Sequence, residues 1–97
     1  MYAVIFKAKP SDKQDHKYSE MVNLLRKLAF EKYNCVDFIS ANSDNLEISI
    51  SYWNSLSDIK RWKEDPTHLS AQELGKKTWY DNYEIEILEL KNKYKSK

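Results

Sequence analysis

Apolar residues recur along this chain at two periods, and the switch between them marks out the elements. YAVIFKA, residues 2–8, is a run of β-branched and aromatic residues closed by Pro10, which predicts a strand. From Asp15 to Tyr33 the apolar positions Tyr18, Met21, Val22, Leu25, Leu28, Ala29 and Tyr33 follow an i, i+3, i+4, i+7 stripe, the pattern of a long amphipathic helix. Leu24 and Phe30 flank that stripe and are expected to widen it. CVDFISA and LEISISYW then stand on either side of NSDN, a cluster of turn-forming residues, so a β-hairpin is expected. In its second arm Leu46, Ile48, Ile50 and Tyr52 share one face and read as a core face. Glu47, Ser49, Ser51 and Trp53 share the other, which is small and hydroxylated and suits a cavity wall or a partner surface.

Ser55 with Asp58 three residues on resembles a capping box, and Leu56, Ile59 and Trp62 continue at spacing three, which predicts a short helix that Pro66 interrupts. Asp65 is placed to cap a second helical piece with Pro66 in its first position. That piece runs through THLSAQEL to Gly75, where a left-handed C-terminal cap is expected. YEIEILEL supplies the last strand. The order β-α-β-β-α-β, with the second helix broken in two, is the ferredoxin-like plan of the α+β class: a four-stranded antiparallel sheet with helices on one face. Residues 1–97 read as one domain.

Composition adds a second copy to this picture. Aromatic residues make up 13 % of the chain, more large rings than so small a core holds easily, so some should line a pocket or an interface. A homodimer with its two bare sheet faces packed together is the simplest cover for the uncovered side. Lys+Arg 16 against Asp+Glu 15 gives no broad field for nucleic acid or an anionic membrane, and the basic run KNKYKSK reads as a solvated tail. No apolar run approaches the ~20 residues of a membrane span, and MYAVIFKAKP lacks the marks of a signal peptide, so a cytoplasmic protein is expected. Cys35, inside the apolar stretch CVDFI, reads as a buried, inert thiol.

On a helix beginning at Pro66, His68, Ala71, Gln72 and Gly75 fall on one face made of two polar and two small residues, a plausible pocket wall. Trp53, Trp62, Trp79, Tyr80 and Tyr83 lie close by in sequence, and an aromatic cavity with a few polar groups is the usual site for a flat organic molecule. The plainer reading has His68 and Gln72 satisfying one another and nearby backbone groups, with the tryptophans acting as core rings.

The series ISYW, then IKRWKEDPTHLSAQELGKKTWY, then YEIEIL resembles the antibiotic biosynthesis monooxygenase family, in the run of Trp62-Lys63, His68, Ala71-Gln72, Gly75-Lys76 and Trp79-Tyr80 and in the order of elements. The resemblance implies a dimeric α+β barrel. For characterised relatives it also implies oxygenation of aromatic, quinone-forming substrates with molecular oxygen and no metal, flavin or haem. Haem-degrading proteins of the same fold look to a first-strand asparagine, a tryptophan and a helical histidine. Here Trp62 matches, but the first strand offers Lys7, and Gln72 stands where that histidine would be, four residues beyond His68.

In a cofactor-free oxygenase His68, with an unperturbed pKa of ~6.5, is the residue suited to take a proton from a phenol. Trp53, Trp62 and Trp79 would hold the ring, Tyr80, Tyr83 or Gln72 would hydrogen-bond its oxygens, and Lys7 is a further candidate. His68 is expected on an exposed pocket wall. The alternative is a non-catalytic, dimeric small-molecule-binding or stress-related module of the same fold.

Overall fold

A computed structural model describes residues 1–96; Lys97, the end of the basic run, lies outside the described residues. The elements are β1 (Tyr2–Pro10), α1 (His16–Lys32), β2 (Asp37–Ser43), β3 (Leu46–Trp53), α2 (Leu56–Glu64), α3 (Pro66–Leu74), a π-helical turn (Gly75–Trp79) and β4 (Tyr80–Glu89). The strands form one antiparallel sheet in the order β2-β3-β1-β4, the ferredoxin-like α+β arrangement. No helix among the described residues is long and apolar enough to cross a membrane.

Local chemistry sets the helix starts. Asp15 accepts the Lys17 N–H at 3.1 Å, Ser55 Oγ accepts the Asp58 N–H at 3.2 Å, and Asp65 accepts the Thr67 N–H at 2.8 Å. Each bond satisfies a donor that the first helical turn leaves orphaned. Between β2 and β3 the pairing of Ser43 with Leu46 leaves a two-residue turn, with Asp44 at φ 54°, a left-handed conformation that Asp tolerates.

The core gathers at one end of the layer between sheet and helices. Val4, Phe38 and Trp53 from the sheet meet Ala29 and Tyr33 at the end of α1 and Ile59 and Trp62 of α2. Trp53 and Trp62 lie 5.1 Å apart, and Phe38 meets Trp62 edge-on at 6.1 Å. Tyr33 donates its hydroxyl to Asp65 at 2.6 Å, which joins the end of α1 to the break between α2 and α3.

Three expectations are corrected here. In β3 it is Glu47, Ser49, Ser51 and Trp53 that face the helices, while Leu46, Ile48, Ile50 and Tyr52 lie on the opposite, uncovered sheet face. The register adds Ile5 of β1 and Ile39 of β2 beside Ile50 on that open face. Leu24 and Phe30 are exposed and do not extend the buried stripe of α1. Gly75 is not a left-handed cap: its φ of −60° and ψ of −48° are right-handed helical, and the chain passes on into the π-turn. A glycine sits there because the ring of Tyr80 occupies the space beside it, where a Cβ would lie 3.1 Å from Tyr80 Cδ2.

Candidate functional site

Beyond the core the interlayer space is not filled, and it holds a cavity of about 390 Å³. Its sheet wall carries Ser40 and Asn42 of β2 and Glu47, Ser49 and Ser51 of β3, side chains too short or too polar to reach across and pack. Met21, Val22 and Leu25 of α1 form an apolar wall, and Ala71, Gln72 and Gly75 a third, along α3. His68 and Trp62 close one end. Trp79, Tyr80 and Tyr83 line the other, where Phe6 stacks on Tyr83 at 5.5 Å and Tyr18 meets Trp79 edge-on at 5.5 Å. The π-turn that presents Trp79 is held from below, since Gln14 Nε2 donates to Trp79 O at 3.0 Å and Ser11 N–H donates to the same oxygen at 2.8 Å. π-turns recur at functional sites because the extra residue re-aims the side chains that follow.

His68 is 8 % accessible, and its ring meets Trp62 edge-on at 4.4 Å. Burial, with Lys63 adding to it, pushes the imidazole pKa down to about 4. The ring is therefore neutral at neutral pH. Its Nδ1 is buried with no hydrogen-bond partner. Such an atom is cheaper to bury as a bare lone pair than as an unpaired N–H, which favours the tautomer with its hydrogen on Nε2.

At the far end Glu47 is also 8 % accessible, and burial raises its carboxyl above the usual carboxylate range. No cation pairs with it among the described residues. Tyr80, whose hydroxyl donates to Tyr18 Oη at 3.3 Å, has its own pKa pushed up by burial and then by the Glu47 carboxylate beside it. No group of three or more His, Cys, Asp or Glu able to hold a metal ion occurs among the described residues.

No family model matches the chain. It is 31 % identical over 87 residues to the uncharacterised protein YqjZ of Bacillus subtilis, covering 89 % of this chain and 75 % of that one. It is 29 % identical over 93 residues to the jasmonate monooxygenase ABM of Pyricularia oryzae, covering 90 % of this chain but only 42 % of that longer protein. SnoaB, a cofactor-independent oxygenase from Streptomyces nogalater, has the same fold, with a TM-score of 0.78 at 8 % identity over 95 % of this chain and 94 % of that one. The chain belongs to the antibiotic biosynthesis monooxygenase family.

This monooxygenase-family chain brings together most of the residues that sequence singles out: His68, Trp62, Gln72, Trp79, Tyr80 and Tyr83 all line one cavity. Trp53 does not. It is fully buried behind Trp62, with Nε1 donating to Ser51 Oγ at 2.8 Å, so it supports the wall and does not face the space. Trp62 shows its ring but not its N–H, which donates to Leu25 O at 3.2 Å.

His68 is buried where an exposed wall was expected, and its depressed pKa removes the near-neutral base that the unperturbed value promised. Lys7 lies on the open sheet face, 2.6 Å from Glu86 and 3.5 Å from Glu84, away from the cavity. The first strand thus offers the cavity only apolar Val4 and Phe6, which leaves the pattern of the haem-degrading proteins unmet. Cys35 is buried, its Sγ donating to Asp37 O at 3.2 Å, and burial raises its thiol pKa, so it is the inert thiol expected. Glu47 is the residue that the sequence did not single out, although the hydroxylated strand face on which it lies was itself the signal.

Proposed function

We propose that this protein is a cofactor-independent monooxygenase that takes a flat, hydroxylated aromatic compound into the cavity and oxidises it with molecular oxygen to a quinone. The observation that supports this reading is the cavity beside the core: aromatic rings at both ends, a hydroxyl-rich wall and two buried titratable groups around a space suited to a fused-ring molecule. Membership of the monooxygenase family supports the reaction type. The reaction balances without a cofactor. A hydroxyarene with a free para carbon gives four electrons to O₂; one oxygen atom becomes the new carbonyl, and the other leaves as water with the hydroxyl and para hydrogens.

The neutral His68 favours a second reading, a module that binds such a compound without transforming it, because a base with a pKa of about 4 is poorly matched to a phenol. An oxygen electrode separates the two. With 1-naphthol and no added metal, flavin or reductant, the enzyme reading expects one O₂ consumed per naphthoquinone formed. Binding without oxygen uptake, across naphthols and hydroxyanthracenes, would leave the binding module standing.

The same reading carries a homodimer joined through the open sheet face. Ile39 and Leu46 lie there exposed beside Ile48, Ile50 and Tyr52, an apolar surface of the kind a second copy covers.

A further inference from the structure

We propose that Glu47 is the group that selects the ligand of this cavity: its carboxylate receives the hydroxyl of an uncharged hydroxyarene, turns away arenes that carry an acidic group, and takes up the hydroxyl proton when the ring is oxidised. The last clause rests on the oxygenase reading; the first two do not.

Glu47 stands on the inner face of β3, between Ala8 of β1 and Asn42 of β2 in the strand register. A carboxylate this deep in a protein is ordinarily matched by a cation or by several donors. Its register partners are Ala8 and Asn42, Tyr80 lies beside it, and Tyr18, Gln72, Gly75 and Tyr83 line the same cavity; the lysine that also lines it, Lys63, stands by His68. Among the former only the three tyrosines titrate, and the Tyr80 hydroxyl is shared between the Glu47 carboxylate and Tyr18 Oη, 3.3 Å away. A carboxylate has about four lone-pair sites, so this one keeps acceptor capacity turned to the cavity. A glutamine would hold Tyr80 equally well, so the charge itself is what a purely structural role leaves unexplained.

The other end of the cavity cannot do this work. Ser51, beside Trp53 and the His68–Trp62 pair, is four residues along β3 from Glu47, a separation of about 13 Å at the rise of a strand. His68 there is a neutral ring, a weak base at a pKa of about 4, and in the tautomer with its hydrogen on Nε2 it is a donor for a carbonyl or developing oxyanion. The cavity thus has an acceptor end and a donor end. During oxidation the hydroxyl proton moves to Glu47 and is returned to the oxygen atom that departs as water, which restores the carboxylate.

Calorimetric titration of the whole chain under nitrogen with 2-naphthol and with 2-naphthoate tests the selection without turnover. At neutral pH the parent protein should bind 2-naphthol at least about tenfold more tightly than 2-naphthoate, the size of one charge-assisted hydrogen bond. Acidification that protonates Glu47 should erase the preference, and Glu47→Gln should reduce it to about threefold or less, while the same change at an exposed carboxylate outside the cavity, Glu64→Gln, leaves it in place. Equal binding of both probes, binding of neither, or an unchanged preference in Glu47→Gln overturns the proposal, and the first two outcomes need no variant to fold. Where the parent consumes oxygen with 1-naphthol, Glu47→Gln should lower kcat by about 100-fold or more and abolish the acid limb of its pH profile. A parent that consumes none overturns the proton-transfer clause together with the oxygenase reading, and the selection measured under nitrogen is judged separately.

Discussion

His68 and Glu47 bury titratable groups against one cavity, and their contributions to stability run in opposite directions with pH. The folded His68 binds its proton less readily than the unfolded chain does, about 4 against 6.5, so between those values the unfolded state holds more protons and stability falls as the pH drops. At 1.36 kcal/mol per unit the loss approaches about 3 kcal/mol. His68→Gln should flatten that acid limb in urea unfolding measured from neutral pH down to about pH 4. Asp58 and Asp65, whose pKa values are lowered, add their own losses only below the ordinary aspartate range of 3.8. Glu47 has the opposite sign. Its folded pKa is raised from 4.5, so the stability it contributes is present in acid and is lost as the pH rises through the folded value. Glu47→Gln should accordingly raise the melting temperature at neutral pH, by about 4–8 °C for each kcal/mol recovered, as scanning calorimetry would show. The two residues were not equally legible. Helical spacing puts His68 beside Ala71 and Gln72, whereas a single glutamate in an alternating strand ordinarily points to water.

At the scale of elements, what is local in sequence was legible and what depends on a distant neighbour was not. Asp15, Ser55 and Asp65 cap their helices with bonds spanning two or three residues, so the residue types alone announce them. Alternation in β3 separates two faces but does not say which one receives helices, and the more apolar face became the uncovered one. Gly75 illustrates the same limit, because its neighbour Tyr80 comes close only through the π-turn. In an ordinary right-handed helix Gly→Ala stabilises by about 1 kcal/mol. Here the new Cβ would meet the Tyr80 ring at 3.1 and 3.3 Å, and that ring is held by Phe6, Tyr18 and Tyr83. Gly75→Ala should therefore lower the melting temperature, and its affinity for a naphthol should fall as Tyr80 shifts.

For the whole molecule, the order of elements and the single sheet followed from the hydrophobic pattern, while the cavity did not, because no periodicity states how much of an interlayer space its side chains will fill. The uncovered sheet face now supplies a sharp test of assembly. Sedimentation at micromolar concentration should give twice the 11.6 kDa chain mass. Ile50 would make a poor test if both of its faces were core; on an open face, Ile50→Asp should give a species of single-chain mass that keeps its calorimetric transition and part of its naphthol binding. A parent that sediments as a monomer at every concentration ends the dimer reading.

The pairing of Trp53 with Trp62 at 5.1 Å, with His68 edge-on against the second ring, also has an optical consequence. Indoles this close share their electronic transitions, so the pair should give an exciton couplet in circular dichroism that vanishes in Trp53→Phe. Trp53 is sealed from solvent while Trp62 and Trp79 look into the cavity. Emission from those two rings should therefore be quenched by an incoming quinone or naphthol, and the couplet should change sign or intensity as Trp62 tilts, which makes the protein its own spectroscopic gauge of an occupied site.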